Sequence, residues 1–366
     1  MNVLSGSAAE RMDWRWQYGN RLSRPEHLAE LAGGNSNLLD EWRRVAQIYP
    51  FAITPYYASL IDPTDRDDPI RRQCLPDIRE LSDIHTGQDD PLEEDLHTMV
   101  PGLIRRYPDR CLTLATNRCA VYCRHCNRKR FWMQGSRRFS RAYFQEMIDQ
   151  VAQNPFLREV IVSGGDPLLL PAATLDWFLG SMTAIPHVEI LRVGSRIPVV
   201  MPMRINKELV AVLKKYRPLW FNTQFNHPRE ITPEAAQACD LLLTAGIPVS
   251  NQAVLLRGVN DDPETLGELF YGLQRISVRP YYLFSCDPVK GVDHFRVDIR
   301  HGMEMMEQLW QRASGLCLPR FVLDAPGEHG KIPLQHFSMQ REVDMREVEI
   351  SLTENGKYIK THPLFQ

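Results

Sequence analysis

The sequence predicts an α/β protein built as a partial, open (β/α)6 barrel of the TIM type. Three observations predict it. Six short apolar runs alternate with amphipathic stretches between residues 110 and 325. Such alternation implies parallel strands joined by crossover helices, and six units fall short of the eight that close a full barrel. The chemically interesting polar residues fall late in these runs or just after them, where a parallel barrel opens its active site.

Taken in order, the strands are expected at CLTLAT (111–116), EVIVSG (159–164), EILRVG (189–194), LWFNTQF (219–225), VSNQAVLL (249–256) and PYYLFS (280–285). Between them, helices are expected near 140–153, 173–185, 206–216, 232–245 and 262–275. Ser140, Thr232 before Pro233, and Asp261 read as N-caps, since a short polar side chain there can accept from an orphan helix N–H. Residues 1–105 carry no strand pattern and read as a helical N-terminal extension of the barrel at 106–325. Residues 326–366 read as a loop bearing Lys331 and a hairpin-like tail, from the runs EVEISL and GKYIKTH.

Composition narrows the function classes. A hydrophobic content of 43% with 24% charged residues suits a globular protein, and a net charge of −2 offers nucleic acid or anionic membrane no electrostatic footing. No signal-peptide pattern opens the chain, and no apolar run nears the ~20 residues that span a bilayer, so a cytoplasmic address is expected. The basic run Arg128, Lys129, Arg130 is either a solvated face or, from its place beside the cysteines, a contact for an anionic cofactor or substrate.

Of eight cysteines, five are dispersed while Cys119, Cys123 and Cys126 crowd together after the first strand. In a reducing compartment such a cluster reads as metal-binding before disulfide. Cys-x3-Cys-x2-Cys supplies three thiolates, one fewer than an iron–sulfur cluster normally takes. The open iron suits an external chelator, and the amino and carboxylate groups of S-adenosylmethionine (SAM) fit that role. The competing reading is a zinc site completed by His125. Gly164, Gly165 and Asp166 after the second strand form a turn in which backbone can approach a ligand closely, here the expected cradle for the SAM amino group. Lys331, on the glycine-bearing segment after RFVL, is placed to form a Schiff base with an aldehyde cofactor, although a surface lysine is the commoner role.

Longer segments carry a family resemblance: ITPYYASLIDP (53–63), VPGLIRRYPDR (100–110), CRHCNRKRF (123–131), SGGD (163–166), NQAVLLRGVND (251–261), RPYYLFSCD (279–287) and DAPGEHGKIP (324–333). In these the chain resembles the lysine 2,3-aminomutases, radical SAM enzymes that also use pyridoxal 5′-phosphate (PLP). The resemblance implies the radical SAM form of the barrel and a [4Fe–4S] cluster on Cys119, Cys123 and Cys126. It implies PLP on Lys331, with Arg106, Arg110 and Gln252 around that cofactor. Arg128 matches the residue that pairs with the substrate α-carboxylate, and Asp287 and Asp324 match the two carboxylates that receive its distal ammonium. The activity implied is the interconversion of L-lysine and β-lysine by 1,2-migration of the α-amino group, by way of a 5′-deoxyadenosyl radical. The partners implied are a small amino acid, an external one-electron reductant of flavodoxin or ferredoxin type, and further copies of the chain in a homo-oligomer.

The chain departs from the family pattern in several places. Zinc-binding members carry a cysteine after the Val-Asn-Asp turn and more in a longer tail. Here Asp262 follows that turn and no cysteine follows Cys317, so no structural zinc is expected. Glu328 and His329 interrupt the glycine run before Lys331, and Gln224 stands where a histidine is usual. The alternatives carried forward are a lysine isomerase serving elongation factor P, an aminomutase for arginine or ornithine, and a zinc-binding interaction module. The first is disfavoured because Asp-Ala-Pro-Gly, absent from that branch, is retained at 324–327.

Overall fold

A ten-stranded sheet runs through the computed structural model in strict chain order. The structure describes residues 6–33, 35–82, 87–134 and 139–334, together with the strand residues 350–352 and 358–360. The strands are β1 (Thr98–Val100), β2 (Leu103–Ile104), β3 (Arg110–Thr116), β4 (Glu159–Gly164), β5 (Ile190–Gly194), β6 (Leu219–Thr223), β7 (Val249–Leu255), β8 (Arg279–Ser285), β9 (Arg320–Ala325) and β10 (Gly330–Pro333). Strands β3 to β9 pair parallel. Both edges are antiparallel, β1–β2–β3 on one side and β9–β10 on the other. The order ends at β10 without returning to β1, so the barrel is open.

Before the barrel come α1 (Ala8–Arg11), α2 (Trp14–Gly19), α3 (Ser36–Ile48), α4 (Pro55–Ala58), α5 (Pro69–Cys74) and α6 (Arg79–Ser82). The crossovers are α7 (Arg141–Ala152), α8 (Ala172–Thr183), α9 (Ile197–Val200) with α10 (Lys207–Lys214), α11 (Pro233–Thr244), α12 (Pro263–Arg275) and α13 (Ile299–Arg312). Side-chain alternation explains the layering. Val160, Val162, Leu191, Val193, Leu219 and Phe221 are fully buried, two residues apart within each strand. They share one core with Phe144, Met147 and Val151 of α7, Leu175 and Phe178 of α8, and Leu242 of α11. Each such side chain contributes roughly 1.5–3 kcal/mol of burial.

The predicted helices and strands are present, with three differences. Helix α13 and strand β9 were not read as a further unit; they make β9 a seventh parallel strand after six crossovers. The segment 1–105 is not wholly helical, because Thr98–Val100 and Leu103–Ile104 pair along the edge of the barrel. The cap of α12 is Asp262, which accepts from Thr265 N at 2.8 Å, whereas Asp261 accepts from Gly258 N within the turn. Ser140 and Thr232 cap as expected. In the tail, Ile350–Leu352 pairs antiparallel with Tyr358–Lys360, within the two runs expected to form a hairpin; the rest of 335–366 lies outside the described residues.

The N-terminal extension docks over the strands' C-terminal ends. Thr54 Oγ1 donates to Val200 O at 2.6 Å, and Tyr57 Oη donates to Glu230 Oε1 at 2.6 Å. Among the described residues no helix is long and apolar enough to cross a membrane.

Candidate active site

The loop after β3 holds the three clustered cysteines, and a buried ion cluster clamps it. Arg124, between Cys123 and Cys126, donates to Glu80 from Nε at 2.8 Å and Nη2 at 2.5 Å. Lys129 Nζ donates to the same carboxylate at 2.7 Å and to Gly291 O at 2.8 Å. Burial alone would raise the Glu80 carboxyl, but the two cations beside it hold it below its ordinary value. Lys129 is pushed down to about 8, by burial first. The basic run is therefore no solvated face: Lys129 is 2% exposed, and Arg128 and Arg130 turn inward to Glu94.

The three thiols lie close enough for their charges to act on one another. Burial first, then the charges of neighbouring cysteines, raise Cys119 well above its ordinary value and Cys126 to about 11. Positive groups oppose this: Arg196 Nη1 lies 2.7 Å from Cys123 Sγ, and Arg128 N lies 3.4 Å from Cys126 Sγ. Three half-buried thiols, with a guanidinium at Cys123 and a backbone N–H at Cys126, have the chemistry an anionic cluster takes. His125 Nε2 contacts Gln224 at 3.2 Å and Asn226 at 3.3 Å, just after β6, and burial lowers its pKa well below normal. Gln224, the departure noted above, is thus a direct partner of the histidine within the cysteine loop.

Gly164 (φ +120°) and Gly165 permit contact between two strand ends, a different use from the one expected. A Cβ on Gly164 would strike Thr116 O, and one on Gly165 would strike Arg118 O, in the chain leading to Cys119. The Asp166 carboxylate is committed to Ser195 Oγ at 2.7 Å and Arg196 N at 3.0 Å, so it ties the turn after β4 to the one after β5. Burial pushes Asp166 up to about 6. The glycine turn therefore places the start of the cysteine loop.

A second set of residues gathers where β9 turns into β10. Register puts Lys331 directly opposite Asp324. Its Nζ lies 3.3 Å from Asp324 Oδ2, above the rings of Tyr107 (5.6 Å) and Phe284 (5.5 Å). Gly330, at φ +64°, leaves room that a Cβ would take from the Tyr107 ring. Arg106 reaches across the barrel opening: Nη1 donates to Asp324 Oδ1 at 3.2 Å, Nε to Gly327 O at 3.0 Å, and Nη2 to Ala325 O. Arg110 stacks on the Tyr107 ring at 3.6 Å and pairs with Asp109. Lys331 thus shares the Tyr107 ring with Arg110 and the Asp324 carboxylate with Arg106. Gln252 stands half-buried on β7, level with Tyr282 of β8.

Between the two sets lies Asp287, just past β8. Its Oδ2 accepts from Asn127 Nδ2 at 3.1 Å, while Oδ1 is sealed from solvent with no hydrogen-bond partner. Burial, then the charge of Asp324, push Asp287 up to about 7. Such surroundings favour the neutral carboxyl, and a cation brought to Oδ1 would favour the ionised one.

The region 113–270 matches the radical SAM superfamily. The chain is 47% identical to the L-lysine 2,3-aminomutase of Clostridium subterminale over 90% of its own length and 79% of that protein's. It is 46% identical to that of Acetoanaerobium sticklandii, over 88% of this chain and 78% of the other. The glutamate 2,3-aminomutase of Clostridioides difficile is 40% identical, over 91% and 79%. The chain belongs to the lysine 2,3-aminomutase family. As a member of that family within the radical SAM superfamily, it is an isomerase whose superfamily implies a [4Fe–4S] cluster and SAM. The thiols, with the Arg196 guanidinium at Cys123, have the donor chemistry such a cluster takes.

Three residues in contact with the candidate site residues carried no signal of their own in the sequence. Tyr107 lies inside RRYPDR, and its hydroxyl is buried without a partner beside Lys331. Asn127 orients Asp287 from the cysteine loop. Glu94, in the acidic stretch DDPLEED, is 3% exposed. An acidic run reads as solvated until tertiary structure brings arginines to it.

Proposed function

We propose that the protein interconverts L-lysine and β-lysine by moving the α-amino group to the neighbouring carbon, with a [4Fe–4S] cluster, SAM and PLP as cofactors. When bound, the cluster and SAM supply a carbon-centred radical that takes hydrogen from the substrate, and PLP supplies the conjugated system that stabilises the radical as nitrogen shifts. Cys119, Cys123 and Cys126 would hold the cluster, with the guanidinium of Arg196 stabilising the Cys123 thiolate. Lys331 would bind PLP, and Arg106 and Arg110 would supply charge to its phosphate. Arg128 would take the substrate carboxylate, and Asp287 with Asp324 the ε-ammonium. No structural zinc is proposed, and an external one-electron reductant is required.

The observation that carries the substrate assignment is the buried Asp287 Oδ1, unpartnered beside a second carboxylate. Sequence identity alone does not separate lysine from glutamate, since a glutamate 2,3-aminomutase is 40% identical. Charge does. A glutamate side chain would set a third carboxylate against Asp287 and Asp324, while an ammonium would bring a cation to Asp287. Lys331 provides an internal example, a primary ammonium seated on Asp324. Covalent use of Lys331 by PLP would free Asp324 for the substrate's own ammonium.

The test is anaerobic reconstitution with iron, sulfide, PLP, SAM and a reductant, followed by a panel of amino acids. β-Lysine from L-lysine, with glutamate inert, is the expected result. Turnover of glutamate, arginine or ornithine in place of lysine overturns the substrate assignment.

A further inference from the structure

The arginine read as the receiver of the substrate's α-carboxylate already has a carboxylate on it. Glu94 takes Arg128 side-on: Nε lies 3.0 Å from Oε2 and 3.2 Å from Oε1, and Nη2 lies 2.6 Å from Oε1. A guanidinium has five N–H donors in a fixed planar fork. The Glu94 contact uses the side formed by Nε and Nη2, and leaves the end formed by Nη1 and the second Nη2 hydrogen. The glutamate side chain is 4% exposed and the arginine 14%, so solvent does not dilute the pairing. Arg130 Nη2 holds Glu94 Oε2 from the other side at 3.1 Å and lies 3.1 Å from Asp90 Oδ1. Glu94 is thereby fixed before it fixes Arg128.

We infer that Glu94 is the positioning residue for carboxylate recognition: it locks Arg128 side-on so that its end-on fork is presented to the α-carboxylate. The inference rests on the reading that Arg128 binds that carboxylate. Its physical basis is pre-organisation. A long arginine side chain held in one rotamer before binding loses less entropy when the ligand arrives. The bound glutamate also balances part of the buried charge of Arg128 and Arg130, so the free site need not draw in a solvent anion that the substrate must then displace.

The experiment compares wild type with Glu94→Gln, Glu94→Asp and Arg128→Ala, using L-lysine and L-lysinamide as substrates. Lysinamide keeps both amines and lacks the carboxylate. Iron content, PLP absorbance and melting temperature of each variant establish that it is loaded and folded; the isosteric Gln and the charge-retaining Asp guard against loss of fold. In Glu94→Gln, KM for lysine is expected to rise at least about tenfold with a much smaller change in kcat. The preference for lysine over lysinamide in kcat/KM is expected to fall by the same factor, and Glu94→Asp to recover part of it. Equal losses on both substrates would mean a merely structural role and overturn the proposal, as would an unchanged preference. If Arg128→Ala removes the preference and Glu94→Gln does not, only the role of Glu94 falls. If wild type shows no preference, or Arg128→Ala leaves it intact, the carboxylate assignment itself is wrong and the role of Glu94 falls with it.

Discussion

Lys331 and Asp324 face each other across the β9–β10 pair, with Nζ 3.3 Å from Oδ2 and Arg106 on the other carboxylate oxygen. The arrangement links two halves of the site. The lysine that would carry PLP and the carboxylate that would receive the substrate are cross-strand neighbours, so occupation of one changes what is open to the other.

Separating the two cofactor sites follows from their geometry. Lys331→Ala is expected to lose the visible absorbance of lysine-bound PLP and at least about 1,000-fold in turnover, while keeping iron and the brown colour of the cluster. Cys126→Ala is expected to do the reverse, keeping PLP and losing iron. Absorbance and iron analysis of the two purified proteins check this; joint loss of both groups in either variant counts against independent sites.

The pH dependence should report Asp287. Its carboxyl is raised to about 7, by burial and then by the charge of Asp324. Binding an ammonium requires the ionised form, so kcat/KM for lysine should fall about tenfold per unit as pH drops below 7. Asp287→Asn should abolish that limb and cost on the order of 100-fold or more at pH 8. For stability the sign is opposite. A carboxyl raised on folding contributes stability below its unfolded value of 3.8, and that contribution is lost as pH rises through about 7. Without substrate, Asp287→Asn should therefore melt higher than wild type at pH 8, with the gap closing toward pH 4.

Glu80 pins Arg124 and Lys129 from the N-terminal extension. Removing it leaves two buried cations without their anion. Glu80→Ala should lose about 3–5 kcal/mol of unfolding free energy, measured by denaturant titration. A loss below about 1 kcal/mol would show that the extension does not clamp the cysteine loop.

The fold was largely legible because period-2 burial and strand–helix alternation are local signals. Strand β9 escaped because RFVL stood in a region read as the end of the barrel, and only its parallel pairing with β8 reveals it. The small pair β1–β2 is too short to leave a pattern. In the site, the cysteines stood out by their spacing, whereas Lys331 stood out only through the family resemblance. Glu94, Asn127 and Tyr107 were not, since each acquires meaning only from residues distant in the chain: Arg128, Asp287 and Lys331. Asp166 shows the converse, a motif residue whose carboxylate turns out to bind the neighbouring loop.

The central claim is that the α-amino group of lysine moves within one molecule held at both ends. Supplying L-[2-15N]lysine to the reconstituted enzyme and following the nitrogen by NMR tests it most directly. The account requires β-lysine with the label on the β-nitrogen and none released as ammonia. Label lost to free ammonia, or a product labelled only at the ε-nitrogen, would contradict it.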